Sequence, residues 1–340
     1  MMRGVRLFRW LMAAFGLVVS LSTMALADPL NIRVGWSTMP GHMIPVLFGP
    51  DKPYLKHYGQ SYTVEPVLFR GSSPQLTALA AGEIDLIASS PATMALAVLN
   101  AGIDVRLVAD IIQDGMPGYH SETWLVKTDS GIKTAADLKG KRIATNAIGS
   151  ASDTAMRAIM LKQGLQDRRD YITIQAAFPS MLALLDQGKV DAAPILMPGL
   201  IAALKDPKYR PVFEAKDALG PSDLVFLIGQ TAFVTKNHAA MVDFIEDYIR
   251  AMRWFSAPAN RTQALKIIGD FMKVPPAQLG HLFTAQDYYR DPWEMPNVPA
   301  LQSAIDVSKA AGILPGTIDV VKYSDLSLIA EARHRIEANP

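Results

Sequence analysis

Serines stand where the chain could hold a small anion. Ser72-Ser73, Ser89-Ser90, Ser150 and Ser152 each follow a strand-like run and lead into a helix-like one. Hydroxyls and free backbone N–H groups at such helix starts can bind a carboxylate, sulfonate or nitrate without a buried counter-charge. The same residues also serve as ordinary turn and capping groups. Around them lie further candidates for a binding surface. Ser37 and His42 sit in the Gly- and Pro-rich loop after the first strand, and Gly71, Asn146 and Gly149 sit in the later loops. Trp36 closes the first strand, where it either stacks on a planar ligand or packs between elements. Arg70 ends another strand, where it either pairs bidentately with an anion or remains a solvated edge residue. Trp124 and Gln230 fall in two extended segments and either face a cleft or support it.

Several chemistries are missing from this set. The chain of 340 residues has no cysteine, so it has no disulfide, thiolate nucleophile or Cys-ligated metal. Its six histidines, at positions 42, 57, 120, 238, 281 and 334, include no i, i+4 pair for a helical metal site. G-x-G-x-x-G, G-x-S-x-G, H-E-x-x-H and a complete P-loop are absent. The expectation is a recognition protein with no catalytic residue, no cofactor and no metal.

The elements that must position these groups alternate. Leu30 to Trp36, Thr63 to Arg70, the IDLIASSP run and Val105 to Ile111 read as strands, with helices at Gln75 to Ala81 and Ala92 to Ala101 between them. Such alternation predicts a parallel sheet covered by helices, with ligands bound beyond the carboxyl ends of the strands. The serine clusters lie at those ends. After an extended Ser121 to Thr128 the alternation restarts, with a strand at Arg142 to Thr145, a loop at Asn146 to Ser150 and a helix ending at Gly164. Ser150 is its N-cap, with Asp153 at capping-box spacing. Ala151, Ala155, Ile159 and Gln163 fall on one face of that helix, with Met156 and Met160 beside it. The runs ALAAGEID (Ala78 to Asp85) and LLDQGKVD (Leu184 to Asp191) echo each other at an offset of 106 residues, which predicts two lobes of like construction. A second long extended piece, Leu224 to Lys236, gives with Ser121 to Thr128 a two-stranded hinge, and helices fill the rest.

The expected division is a signal peptide at 1–27, a first lobe of 28–124 plus 228–340, and a second lobe of 125–227. Arg3, Arg6 and Arg9, the apolar run Trp10 to Leu21 and Ala25-Leu26-Ala27 form the export and cleavage signals. Without that segment 30 basic residues face 32 acidic ones, a net charge of −2 that gives no basis for a nucleic-acid partner. The expected product is a periplasmic monomer without a lipid anchor.

SGI-K-T-AADLKGKRIA followed by Gly149-Ser150 resembles the dSGIktlaDLKGKkv…GS signature of periplasmic solute-binding proteins of the nitrate/sulfonate/taurine type. That superfamily also includes thiamine-pyrimidine-precursor binders and synthases. The likeness runs from about Leu30 to Phe255 and includes IRVGW, ALAAGEID, the L-x-x-G-x-V-D-A-A run and FIEDYIRAMRW. It implies an α/β, two-lobe fold of periplasmic-binding-protein type II with a helical C-terminal region. It also implies capture of a small organic anion (a sulfonate, taurine-like molecule or aromatic carboxylate) by hinge closure, for delivery to an ABC permease of the inner membrane. The loop after the first strand, Gly71 to Ser73, Ser89-Ser90 and Gly149 to Ser152 would line the cleft. Two alternatives follow the same likeness: a sensor-type protein presenting its ligand to a receptor, and a pyrimidine-precursor binder or enzyme. The synthases use a cysteine-rich motif, which this chain lacks.

Overall fold

Leu30–Trp36 (β1) alternates its side chains, burying Ile32 and Val34 on one face. It is the second strand of a five-stranded sheet in the computed structural model, which describes residues 28–339. The expected export signal lies outside the described residues. β1 runs parallel to Tyr62–Leu68 (β2) and to Leu86–Ser89 (β3). Val105–Asp114 (β4) forms the far edge. The remaining strands are Thr123–Lys127 (β5), Arg142–Thr145 (β6), Ile172–Gln175 (β7), Ala193–Pro194 (β8), Tyr209–Glu214 (β9) and Ser222–Gln230 (β10). β10 inserts antiparallel between β3 and β4, giving the order β2-β1-β3-β10-β4.

The second lobe repeats this plan. β6 pairs parallel with β7, and a parallel bridge from Ile143 to Ala192 ties β6 to the start of β8. β5 lies antiparallel between β8 and β9. The resulting order, β7-β6-β8-β5-β9, is that of the first lobe, with β5 in the place of β10. The sequence echo has a physical basis in this repeat. Gly82 and Gly188 both end helices at positive φ, 72° and 64°, which an L side chain disfavours. Three residues later Asp85 and Asp191 each open a strand and bind an arginine of the neighbouring strand. Asp85 accepts from the Arg33 backbone N–H (2.9 Å), Nε (2.9 Å) and guanidinium terminus (2.7 Å). Asp191 accepts from the same three groups of Arg142 at 2.8, 3.1 and 3.1 Å.

The chain crosses between the lobes twice, at residues 115–122 and 215–221. Asp114 anchors the first crossing by accepting from the Ser121 hydroxyl (2.5 Å) and the Glu122 N–H (2.7 Å). The crossings join through Ala215 N–H to the Glu122 carbonyl (2.9 Å) and Lys216 N–H to Ser121 Oγ (3.1 Å). Two boundaries differ from expectation. Ser222 to Leu227, expected in the second lobe, pair with β3 and β4, and Thr123 and Trp124, expected in the first, pair with β9. The extended run expected from Leu224 to Lys236 stops at Gln230, because Thr231–Lys236 is helical.

The C-terminal helices pack on both faces of the first sheet. His238–Ser256, Arg261–Met272 and Ser327–Ala338 bury one face against Ile32, Val34 and Leu227, while Val298–Ala310 packs Leu301 and Ile305 on the other against Phe226 and Ile228. Among the described residues no helix is long and apolar enough to cross a membrane.

Candidate functional site

One cavity between the lobes gathers the carboxyl ends of β1 and β3 and the starts of three helices, enclosing about 710 Å³ that is partly open to solvent. The first lobe supplies the loop 37–42, Gly71, Ser72 and Ala88 to Ser90, and the second supplies Asn146, Ser150 to Ser152, Phe178, Leu196 and Met197. Ile112, Glu122, Leu224 and Val225 form the rear wall beside the crossings, and Asp287 and Tyr288 come from the C-terminal region.

Hydroxyls are wired together at the first-lobe wall. Thr93 Oγ1 lies 2.9 Å from Ser72 Oγ and 2.9 Å from Ser90 Oγ, and the two serines are 3.3 Å apart. Ser72–Ala80 and Pro91–Leu99 start here, the second capped by Ser90. Opposite them starts Ala151–Lys162, where Ser150 accepts from the Asp153 N–H and donates to Asn146 Oδ1 at 2.6 Å. Asp153 does not return the bond to Ser150 as the capping-box spacing predicts; it accepts from Gly149 N–H at 2.8 Å and from Arg157. Three helix dipoles thus point positive ends at one cavity, with N–H groups lacking intrahelical partners.

His42 is buried, and its Nδ1 accepts the Ser37 N–H at 3.2 Å. Burial, with the nearby Arg290 charge, lowers its pKa to about 3, so the ring is neutral and Nε2 carries the proton as a donor. Glu122 is also buried. Its Oε1 accepts from Ser152 at 2.6 Å, while Oε2 has no partner. Burial raises this carboxyl to about 8; the Ser152 bond opposes the shift and the Asp114 charge adds to it. Among the described residues no lysine or arginine lines the cavity.

The lobes touch along one rim. Asn146 Nδ2 donates to the Arg70 carbonyl at 3.0 Å, Ser73 Oγ to the Ile148 carbonyl at 2.9 Å, and Thr93 Oγ1 to the Gly149 carbonyl at 3.3 Å. Gly71 permits this approach, since a Cβ there would sit 2.7 Å from Asn146 Nδ2.

Nine sequence candidates line the cavity: Ser37, His42, Gly71, Ser72, Ser89, Ser90, Asn146, Ser150 and Ser152. Four do not. Trp36 shares the face of Ile32 and Val34, so it turns to the helices and meets the Phe271 ring edge-on at 5.9 Å. Arg70 is exposed, and its carbonyl rather than its guanidinium joins the rim. Ser73 and Gly149 are engaged in the rim contacts, with the Ser73 hydroxyl on the Ile148 carbonyl and the Gly149 carbonyl on Thr93. Trp124 is fully buried against Phe213 in the second-lobe core, and Gln230 bonds the Leu79 carbonyl away from the cleft.

Sequence reasoning missed Glu122, Asp287 and Tyr288. Asp287 lies 3.8 Å from Arg290, whose side chain is 8% exposed and whose guanidinium donates to the carbonyls of Ile111 (3.0 Å), Pro40 (3.1 Å) and Gly41 (3.2 Å). The loop bearing His42 is therefore pinned from the C-terminal region. The repeated strand plan and the serines at helix starts were visible signals; for Arg290 the sequence carried none.

Known proteins share this architecture. A curated protein of Escherichia coli (strain K12), described provisionally as an aliphatic sulfonates-binding protein, is 29% identical over 270 residues, covering 76% of this chain and 77% of its own length. The alkanesulfonate-binding protein SsuA from Xanthomonas axonopodis pv. citri, solved bound to MOPS, superposes with a TM-score of 0.67 at 23% identity, over 88% of this chain and 99% of that one. The periplasmic nitrate-binding protein NrtA from Synechocystis PCC 6803 gives 0.71 at 16% identity, over 91% and 90%. The desulfurization enzyme DSZB gives 0.62 at 15% identity, over 90% and 99%, so the fold also carries catalysis. Residues 42–259 match the family model described as NMT1/THI5 like, and with this two-lobe fold the chain belongs to that family.

Proposed function

We propose that this chain is the periplasmic solute-binding component of an ABC importer, and that it captures a small organic acid by closing two lobes about the crossings at 115–122 and 215–221. One observation carries the reading. Three helix N-termini and their hydroxyls converge on a single interlobe cavity that has no lysine or arginine, an arrangement suited to an acid held by uncharged donors. The acid group belongs against Ser72, Ser90 and Ser150, with His42 Nε2 and Asn146 as further donors. Leu224, Val225, Phe178 and Tyr288 offer apolar area for the organic part. The sulfonate- and nitrate-binding relatives support this ligand class and an inner-membrane permease as partner. Binding rather than turnover is favoured because the chain has no cysteine and the sulfonate and nitrate relatives are described as binding proteins.

The test is a thermal-shift screen of residues 28–340 against nitrate, alkanesulfonates, taurine, aromatic carboxylates and pyrimidines. Ligand at 100 times its Kd adds about 2.7 kcal/mol, which moves the midpoint by several degrees. A response confined to acids supports the proposal; a response to a pyrimidine or a simple cation alone overturns it.

A further inference from the structure

We infer that Glu122 sets the specificity of the cavity, selecting small acids that also carry a hydrogen-bond-donating group, above all an ammonium. This inference rests on the acid-binding reading above and narrows it. Glu122 lines the rear wall beside the first crossing and is 2% exposed. Its Oε1 is occupied by the Ser152 hydroxyl at 2.6 Å, but Oε2 is buried without a partner. A buried carboxyl oxygen left unpaired is costly, and a donor on the ligand removes that cost.

Electrostatics points the same way. The groups that share the cavity wall with Glu122 are acidic or neutral; the two nearby cations stand behind that wall, Arg290 bound to three backbone carbonyls and 3.8 Å from Asp287, and Lys216 paired with Glu214. Asp114 lies beside Glu122 and accepts its backbone N–H, Ser152 faces it from the second lobe, and Asp287 and Tyr288 share the cavity wall from the C-terminal region. A plain anion would bring a further negative charge beside Asp114 and Asp287 with no lysine or arginine on the cavity wall to meet it directly. An acid bearing an ammonium adds no net charge. Its acid group takes the three helix starts and its ammonium reaches Oε2; Glu122, which burial otherwise keeps protonated at neutral pH, then releases its proton to solvent, and the carboxylate charge so formed lies directly against the ammonium. The Ser152 hydroxyl is already committed to Glu122, so the acid group is left with Ser72, Ser90 and Ser150. This separates an acid end from a donor end within one cavity.

The experiment compares matched pairs by calorimetry on residues 28–340: taurine against ethanesulfonate, β-alanine against propionate, and aminomethylbenzoate against methylbenzoate. In any pair that binds, the aminated member is expected to be at least about tenfold tighter, the scale of one charge-assisted hydrogen bond. Glu122→Gln, which keeps shape and removes the charge, is expected to bring the two members within about threefold of each other. Equal or tighter binding of the plain acid to the wild type overturns the inference and leaves the acid-binding reading standing; this wild-type comparison decides even if the variant does not fold. A preference that survives in folded Glu122→Gln overturns the role of Glu122. Binding by no acid in the panel overturns the acid-binding reading and this inference with it.

Discussion

Glu122 and His42 show how the same burial acts oppositely on an acid and a base. Burial holds His42 neutral by lowering its pKa and holds Glu122 neutral by raising its own from 4.5 to about 8. For Glu122 the stability linked to the neutral form is full below the unfolded value and is lost as pH rises through about 8. Chemical denaturation of the ligand-free protein should therefore show the wild type losing more stability than Glu122→Gln between about pH 5 and about pH 9, since an amide does not titrate there. Parallel curves would contradict the assignment. The serine and arginine candidates separate just as sharply. Ser90→Ala removes both a helix cap and a cavity hydroxyl, and should lower stability by about 1 kcal/mol while weakening ligand binding severalfold. Arg70→Ala should change affinity less than threefold, roughly the scale of a solvated surface charge, because its exposed guanidinium does not line the cavity. Titration of both variants with one ligand checks the contrast. The serines were legible in the sequence because a small polar pair between a strand and a helix has few places to go. Glu122 was not, since its neighbour Ser152 is 30 residues away and nothing local marks the contact.

Among the elements, the segment from Phe283 to Asn297 departs most from the expectation of helices in the C-terminal region, since it is extended and irregular rather than helical. It runs beside β4, where Gln113 N–H meets the Tyr289 carbonyl at 2.9 Å and Asp110 N–H the Glu294 carbonyl at 2.8 Å. Arg290 then clamps the loop that carries His42 across a separation of 250 residues. Arg290→Met should cost about 3 kcal/mol, as expected when one partner of a buried charged network is removed, and should weaken ligand binding through the freed loop. Arg290→Lys should not restore either property, because a single ammonium cannot span three carbonyls as the planar fork does. Denaturation and calorimetry on the two variants test this, and a Lys variant matching the wild type would refute the clamp. Strands and helices with strong periodicity were readable: Leu30–Trp36 and His238–Ser256 declare their buried faces. Thr231–Lys236 was misread as extended because its Thr, Phe and Val suit a strand, while the chain has already left the sheet. β8 is only Ala193–Pro194, where proline limits further pairing.

For the whole molecule, the repeat is the organising fact. One Arg–Asp lock and one strand order, used twice, place two sets of helix starts face to face, and two crossings tie them together. The eight-residue echo disclosed this plan because the glycine and aspartate in it are needed locally in each lobe. The exact handover between lobes was not legible, since β5 and β10 pair with strands far off in sequence. If the crossings act as a hinge, small-angle scattering should report a smaller radius of gyration with ligand than without; an unchanged radius at saturation would argue for a rigid cavity. The most direct measurement of the central claim is calorimetric titration of residues 28–340 with the acid that raises the melting temperature, followed by recovery of that acid. The account predicts one site per chain, loss of affinity on replacing Ser72 and Ser150 together by alanine, and ligand recovered unchanged. Undiminished affinity in the double variant, or an acid recovered as a different compound, would contradict it.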